Sequence, residues 1–451
     1  MQLRNFIPFF DANTQTWAIE ARMIRWLTFL WLLLGLIVMF SASYPAGQTE
    51  QNNGWFYLQR QGIFILVGMV GFNLIVHSPL RYILSLAHWG LLISLGLIFV
   101  TILPGIGQSV GGAARWIALG PFLLQPSEFV KPFLVLQSAR IFGQWDRLPW
   151  RTRLTWVGIF CVVLLGILAQ PNLSTTALCG MTIWLIALAA GLPSLYMLST
   201  AAGGILLATL SVTFREYQRK RILSFLNPWE DPTGDGYQLT QSLMAIGSGG
   251  WFGTGYGQSQ QKMGFLPIQY TDFIFAVYSE EFGLIGGLVL LLLLAGYATL
   301  GFYIAQKAQS VVHRLVAIGV TVLMVGQACL NIAVASGAMP TTGLPFPLWS
   351  YGGSSMLASL FAAALLIRVA RENTEAPVVA LPVEPPPPPQ PSVIPFPNPG
   401  RARVNGLGAR WRSLFRRSPN TSTPNTSRRS PANNRSGNNS SRKNSRRRRS
   451  R

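Results

Sequence analysis

Ionisable side chains inside or at the ends of long apolar segments are costly to insert, so each is a candidate for chemistry. Asp272 follows Thr271 at the start of one such segment and is the only carboxylate in the second half of the polar stretch 214–272. Thr271 there suits a helix N-cap. Glu280 and Glu281 come about two helical turns later, roughly 12 Å deeper at 1.5 Å per residue. Either one of them faces a bundle interior, or the pair supports a capped helix end. Glu128 and Lys131 are three apart and share a helix face, as a polar site or as a structural ion pair. Pro126 fits the first turn of that helix, and Glu128 complements its positive dipole end. Arg115 and Trp116 follow a Gly-Gly-Ala-Ala stretch close to another apolar segment. They form either a functional pair or an aromatic anchor at a membrane interface. Arg215, Arg219, Lys220 and Arg221 concentrate positive charge. An anionic phosphate ligand would explain that cluster, as would a solvated helix face with Glu216 as partner. A carboxylate with several cations near it is equipment for a polar, anionic ligand.

The elements that must position these residues are apolar helices. Half the residues are hydrophobic and only 11% are charged, against roughly 25% in soluble domains. Apolar runs of about 20 residues span a bilayer as helices. Ten such spans are expected, over 24–43, 62–77, 84–103, 126–142, 154–169, 172–190, 194–213, 273–304, 315–336 and 352–370. A soluble enzyme is excluded, and so is a transmembrane β-barrel with its short alternating strands. The fold class is an all-α membrane protein, a polytopic bundle of about ten transmembrane helices with a large extracytoplasmic loop. Arg4, Arg22, Arg25, Arg81, Arg140, Arg147, Arg151, Arg153, Lys307 and Arg314 fall on one side by this count. The positive-inside rule makes that side cytoplasmic, together with both termini. The outer connections are then 44–61, 104–125, 214–272 and 337–351. Ser41-Ala42-Ser43 resembles a signal-peptidase site, but a long leader carrying Asp11 and Glu20 reads as an uncleaved anchor.

The chain divides into a cytoplasmic segment 1–23, a membrane domain 24–371 and a tail 372–451. Of the net charge of +21, most sits on the tail, which holds 16 Lys+Arg against 3 Asp+Glu. Its Pro, Ser, Asn and Arg cannot build a core, so a disordered cytoplasmic tail is expected. Attraction to anionic lipid, or to an acidic partner, explains the basic run at Arg446–Arg449 better than nucleic acid does. The three cysteines lie in apolar blocks without a CxxC spacing, and the three histidines are scattered. No disulfide framework, zinc site, histidine metal cluster or nucleotide-binding P-loop is readable.

The last span begins with a Gly/Pro-rich stretch running from Thr342 to Ser355. Irregular backbone at membrane depth is tolerated where it lines a cavity or is buried in protein. The ordered set Arg115-Trp116-Ile117, Gln125–Lys131, Gln170-Pro171-Asn172, Tyr237–Ser242, Thr271–Phe275, Glu280–Gly283 and Ser350–Ser355 resembles the SEDS family (shape, elongation, division and sporulation) of FtsW/RodA-type proteins. The resemblance covers residues 20–371. Gln258–Pro267 and Met339–Leu344 look more like the division branch than the elongation branch.

The resemblance implies a peptidoglycan glycosyltransferase that polymerises lipid II at the outer face of the plasma membrane, at the division septum. It also implies a class B penicillin-binding transpeptidase and other divisome membrane proteins as partners. The family's catalytic aspartate maps onto Asp272, and family-important positions map onto Arg115, Trp116, Lys131 and Gln241. The candidate substrate-binding set adds Glu128, Arg215, Arg219, Lys220, Glu280, Glu281, Ser350, Gly352 and Gly353. Three departures concern auxiliary contacts: Ile268-Gln269-Tyr270 replaces the usual Glu-Ala-His, Asn172 replaces an aspartate, and Ala114 replaces a second basic residue. Asp272 as general base fits a substrate that carries its own pyrophosphate leaving group. Cations from Arg115, Lys131 or the Arg215–Arg221 cluster, or a divalent ion (Mg²⁺ or Mn²⁺) held partly by substrate phosphates, would stabilise that group. A lipid II flippase or other transporter, and a non-catalytic divisome scaffold, are the competing readings. The lack of an inverted repeat and the one-sided clustering around Asp272 favour the polymerase.

Overall fold

The computed structural model describes residues 17–373 apart from 104, 106, 111, 112 and 121. Residues 1–16 of the amino-terminal segment and nearly all of the expected tail therefore lie outside the described residues.

The described chain runs α1 (Ile19–Gln51), α2 (Phe56–His77), α3 (Leu80–Ile102), β1 (Gly107–Val110), β2 (Ala113–Leu119), β3 (Phe122–Leu124), α4 (Pro126–Phe142), α5 (Trp150–Ala169), α6 (Leu173–Ala189), α7 (Ser194–Phe214), α8 (Glu216–Leu226), α9 (Tyr237–Ser248), α10 (Ile274–Gln306), α11 (Val311–Ala335) and α12 (Gly353–Glu372). All ten expected spans are helices. Eight of them are long and apolar enough to cross a membrane by length and composition alone. The exceptions, α4 and α6, have 17 residues each. Glu128, Lys131 and Arg140 make α4 polar, and it compensates by burying nearly all of its side chains among its neighbours. Almost every side chain of α12 is buried too, against α2, α4 and α11. Helix α7 buries only Met197 and Ser211 and presents the rest of its apolar surface outward, as a lipid-facing helix would. Ser41, Ala42 and Ser43 lie buried within helical α1.

Two of the connections expected on the outer side carry more structure than the sequence suggests. The 104–125 stretch folds into an antiparallel sheet, β1-β2-β3, with a register shift between Gln108 and Ser109. The 214–272 stretch contains α8 and α9.

Helix α10 is broken at Gly283, whose φ of 66° and ψ of −164° suit glycine alone. A Cβ there would lie 2.4 Å from the Gly253 nitrogen. The backbone groups freed by the break find partners in the preceding loop. The Glu280 and Glu281 carbonyls accept from Thr254 N (2.9 Å) and Gly255 N (3.1 Å), and Leu284 N and Ile285 N donate to Gly250 O (2.9 Å) and Trp251 O (3.1 Å). An apolar environment demands such pairing, and here it pins the loop leading to Asp272 against the helix that follows it.

Candidate active site

At one end of the bundle, the sheet, α8, α9 and the stretch from Thr341 to Ser355 enclose a cavity of about 850 Å³. Connections that the span count put on one face of the membrane thus meet in one place. Asp272 lines this cavity with Arg115, Trp116, Lys220, Arg221, Gly352 and Gly353.

Asp272 sits two residues before α10 rather than inside it. The expected Thr271 cap is not formed: its hydroxyl donates to Ile268 O at 3.1 Å, because the chain turns there before the helix begins. The backbone around the carboxylate is held from two other directions. Asn331, buried on α11, donates through Nδ2 to Asp272 O (2.8 Å) and Leu344 O (2.9 Å). Ser350 Oγ donates to Thr271 O at 2.5 Å and accepts from Phe346 N at 2.7 Å. Gly343 borders the side chain: a Cβ there would lie in ordinary contact with Asp272 Oδ2 at 3.6 Å and with an Arg115 Nη at 3.9 Å. Burial pushes the Asp272 carboxyl up from 3.8 to about 6. The Arg221 and Arg115 charges pull against that rise, and Glu128 adds to it. Such a group is ionised at neutral pH yet basic enough to take a proton.

The cations are held as carefully. Arg115 donates through Nε to Gln170 O (2.9 Å) and through Nη2 to Pro171 O (2.5 Å). The side chain of Asn172 caps α6 by accepting from Thr175 N at 3.2 Å. The Gln170-Pro171-Asn172 motif is therefore a mount for Arg115, and the asparagine in place of an aspartate still caps the helix. Arg221 donates to Thr341 O at 3.0 Å. Half-buried Trp116 faces the cavity beside Arg115.

Other candidates stand behind the wall rather than in it. Lys131 pairs with Glu128 at 2.6 Å, both buried, and donates to Gln327 Oε1 at 3.0 Å. Gln327 then donates to Pro345 O at 2.7 Å, so this pair braces the stretch that borders Asp272. Glu280 accepts from Ser259 Oγ, Gln260 N (2.9 Å) and Gln261 N (3.3 Å). Glu281 pairs with Lys262 at 2.6 Å and accepts from Ser41 Oγ at 2.6 Å. Both glutamates face the interior, but they hold the 253–262 loop instead of lining the cavity. Arg215 is outside it, donating to Leu168 O at 2.9 Å, and Arg219 is exposed on α8. Lys220 does line the cavity and pairs with Glu216 at 3.4 Å, so part of that cluster borders the cavity and part faces away from it. Gln241 is half-buried on α9 and does not line the cavity. Ser350 acts on the Thr271 carbonyl, as above. Gly352 N donates to Gln61 Oε1 at 3.2 Å, and a Cβ on Gly353 would come within 2.4 Å of Phe64.

Sequence reasoning missed Asn331, Arg60, Asp235 and Tyr270. An amide side chain within the apolar run of a span, one turn after Gln327, was the available signal for Asn331. Tyr270 stands where the family's histidine would be, and it lines the cavity.

Residues 21–375 match the FTSW_RODA_SPOVE family model, described as "Cell cycle protein". A Synechocystis sp. protein named "Probable peptidoglycan glycosyltransferase FtsW" is 54% identical over 379 residues, covering 84% of this chain and 96% of the relative. An Escherichia coli protein of the same name is 35% identical, covering 80% and 89%. Among solved structures, a chain from a peptidoglycan synthase complex that coordinates polymerization and crosslinking aligns with a TM-score of 0.63 at 27% identity, covering 78% of this chain and 97% of that one. The rod shape determining protein RodA of Thermus thermophilus aligns with a TM-score of 0.58 at 26% identity, covering 78% and 96%. With the motifs, the helical bundle and these matches in agreement, the chain belongs to the FtsW/RodA/SpoVE family of cell cycle proteins.

Proposed function

We propose that this chain is a peptidoglycan glycosyltransferase that polymerises lipid II at the outer face of the plasma membrane during septal wall synthesis. One observation carries the reading: a carboxylate raised to about 6 shares a cavity with Arg115 and Arg221, the cations that pull its pKa back down. The relatives' names supply the substrate class, and the geometry supports the roles. Asp272 takes the proton from the acceptor sugar 4-hydroxyl as that oxygen bonds to the donor anomeric carbon. The bond from that carbon to the phosphate oxygen breaks with inversion, and undecaprenyl diphosphate leaves with the electron pair. Arg115, Arg221 and Lys220 stabilise the charge that develops on the leaving group.

Among the described residues, no three His, Cys, Asp or Glu side chains converge. A divalent cation, Mg²⁺ or Mn²⁺, would therefore take most of its ligands from substrate phosphates, beside the cavity carboxylates Asp272 and Asp235. Both termini are cytoplasmic in this reading, since Arg81, Arg147 and Arg151 lie in or beside the connections at the other end of the helices. The partner is a class B penicillin-binding transpeptidase, and the basic tail engages anionic lipid.

Purified protein in detergent, together with its class B transpeptidase and given lipid II, tests the reading. A polymerase forms glycan chains without a bilayer to cross. A protein that only transports lipid II, or only recruits a transpeptidase, leaves it unpolymerised, and that result would overturn the proposal.

A further inference from the structure

Behind the rim of the cavity, three side chains from two distant parts of the sequence form a hydrogen-bonded line. The Tyr270 hydroxyl lies 3.2 Å from the Tyr57 hydroxyl, and Tyr57 in turn contacts the Glu50 carboxylate. The rings of Tyr57 and Tyr270 pack with centroids 4.6 Å apart, and Tyr351 sits edge-on to both at 5.0 and 5.7 Å. This packing leaves the hydroxyls little freedom. Tyr270 lines the cavity, Tyr57 is buried behind it, and Glu50 is exposed at the end of α1, outside the cavity wall.

The chemistry of the three groups sets the direction of each proton. A carboxylate only accepts, so Tyr57 donates to Glu50. The Tyr57 oxygen then offers Tyr270 only lone pairs, and Tyr270 donates to Tyr57. What remains at Tyr270 is an oxygen with lone pairs and no proton to give. Burial holds the Tyr270 phenol above its ordinary value, which keeps it neutral. Linked hydrogen bonds polarise one another, so the carboxylate at one end strengthens the acceptor at the other.

We propose that Tyr270 is a substrate-specificity residue that accepts a hydrogen bond from a neutral donor on the bound saccharide, a hydroxyl or an acetamido N–H, with its polarity set by Glu50 through Tyr57. A phosphate oxygen is itself an acceptor and finds no donor in the Tyr270 hydroxyl, and the neighbouring Arg60 is engaged by the Tyr351 hydroxyl. The sugar end of the substrate therefore lies against Tyr270, and the pyrophosphate lies against Arg115 and Arg221. The inference rests on the glycosyltransferase reading of the cavity and names which end of the substrate sits where.

The test is a binding measurement on the full chain carrying Asp272→Asn, in lipid nanodiscs, with lipid II as the probe. Tyr270→Phe keeps the ring and removes only the acceptor, and Kd should rise about 3–10-fold. Glu50→Lys replaces an obligate acceptor with an obligate donor. Tyr57 must then donate to Tyr270, whose proton turns toward the cavity, and Kd should rise by a similar factor. Long-range attraction of an anionic ligand to the new positive charge would act in the opposite direction. With both substitutions combined, Kd should be no higher than for Tyr270→Phe alone, because the relay has one output. An unchanged or lower Kd for Glu50→Lys, or effects that multiply, overturns the proposal. Glycan synthesis by the wild-type chain with its class B transpeptidase is measured in parallel. Its absence would remove the polymerase reading without touching the binding comparison.

Discussion

Asp272→Asn is expected to stabilise the protein while it stops glycan synthesis. Burial lifts the carboxyl from 3.8 to about 6 even with Arg221 and Arg115 opposing the rise. Holding that group ionised in the folded state thus costs about 3 kcal/mol relative to the unfolded chain, as an upper bound. The sign follows from proton binding. Between about pH 4 and 6 the folded state binds more protons than the unfolded one, so wild-type stability falls as pH rises through that window and is lowest above it. Asparagine keeps the shape and stays neutral throughout. The variant and the wild type should melt together near pH 4 and separate by a few degrees at pH 7, with the variant higher. Thermal unfolding of the detergent-purified pair at several pH values measures this. Turnover should move the other way, with kcat/KM of the wild type falling about tenfold per pH unit below about 6 and levelling off above it. An Asp272→Asn protein that melts lower than wild type at pH 7 would refute the reasoning, because it would mean the carboxylate contributes to stability instead of opposing it.

Three further outcomes follow from the same contacts. Asn331→Leu frees the Asp272 and Leu344 carbonyls, and about 1 Å of drift in the base should lower kcat about 100-fold while KM stays put; a rise in KM at constant kcat would assign Asn331 to substrate binding instead. Lys262→Met leaves Glu281 buried without its cation and should destabilise the fold by about 3–5 kcal/mol, with Glu281→Gln restoring most of it, as read by thermal unfolding. In a chain with Cys161 and Cys329 replaced, a cysteine at exposed Gln258 should react with an impermeant thiol reagent in spheroplasts, whereas one at Ser259, 2% exposed, should not; protection of Gln258→Cys would reverse the proposed orientation.

The helical frame was legible in the sequence because hydropathy reports each span from local residues alone. Helix α4 was legible as well, since Pro126 at a first turn and Glu128 after it mark its start despite its charge. The β1-β2-β3 sheet was not, because three short strands set among glycines show no clean alternation. Asp272, Arg115 and Trp116 were expected together on the strength of the family's motifs, and all three line the one cavity. Glu128, Lys131, Glu280 and Glu281 were singled out for their charge, but charge does not say which way a side chain points. Partners decided that: Gln327 for one pair, and Ser259, Lys262 and Ser41 for the other. The Glu50–Tyr57–Tyr270 line joins residues 7 and 213 positions apart, and no sequence pattern brings them together.

Asp272 is the base on which the proposed lipid II polymerisation depends. The most direct measurement gives purified wild-type and Asp272→Asn protein, each with its class B transpeptidase, equal amounts of lipid II and resolves the glycan chains on a gel. The account predicts a ladder of chains from the wild type and a rate about 10²–10⁴-fold lower from the variant, with both proteins folded and bound to the partner. Chains made by Asp272→Asn at near wild-type rate would contradict it.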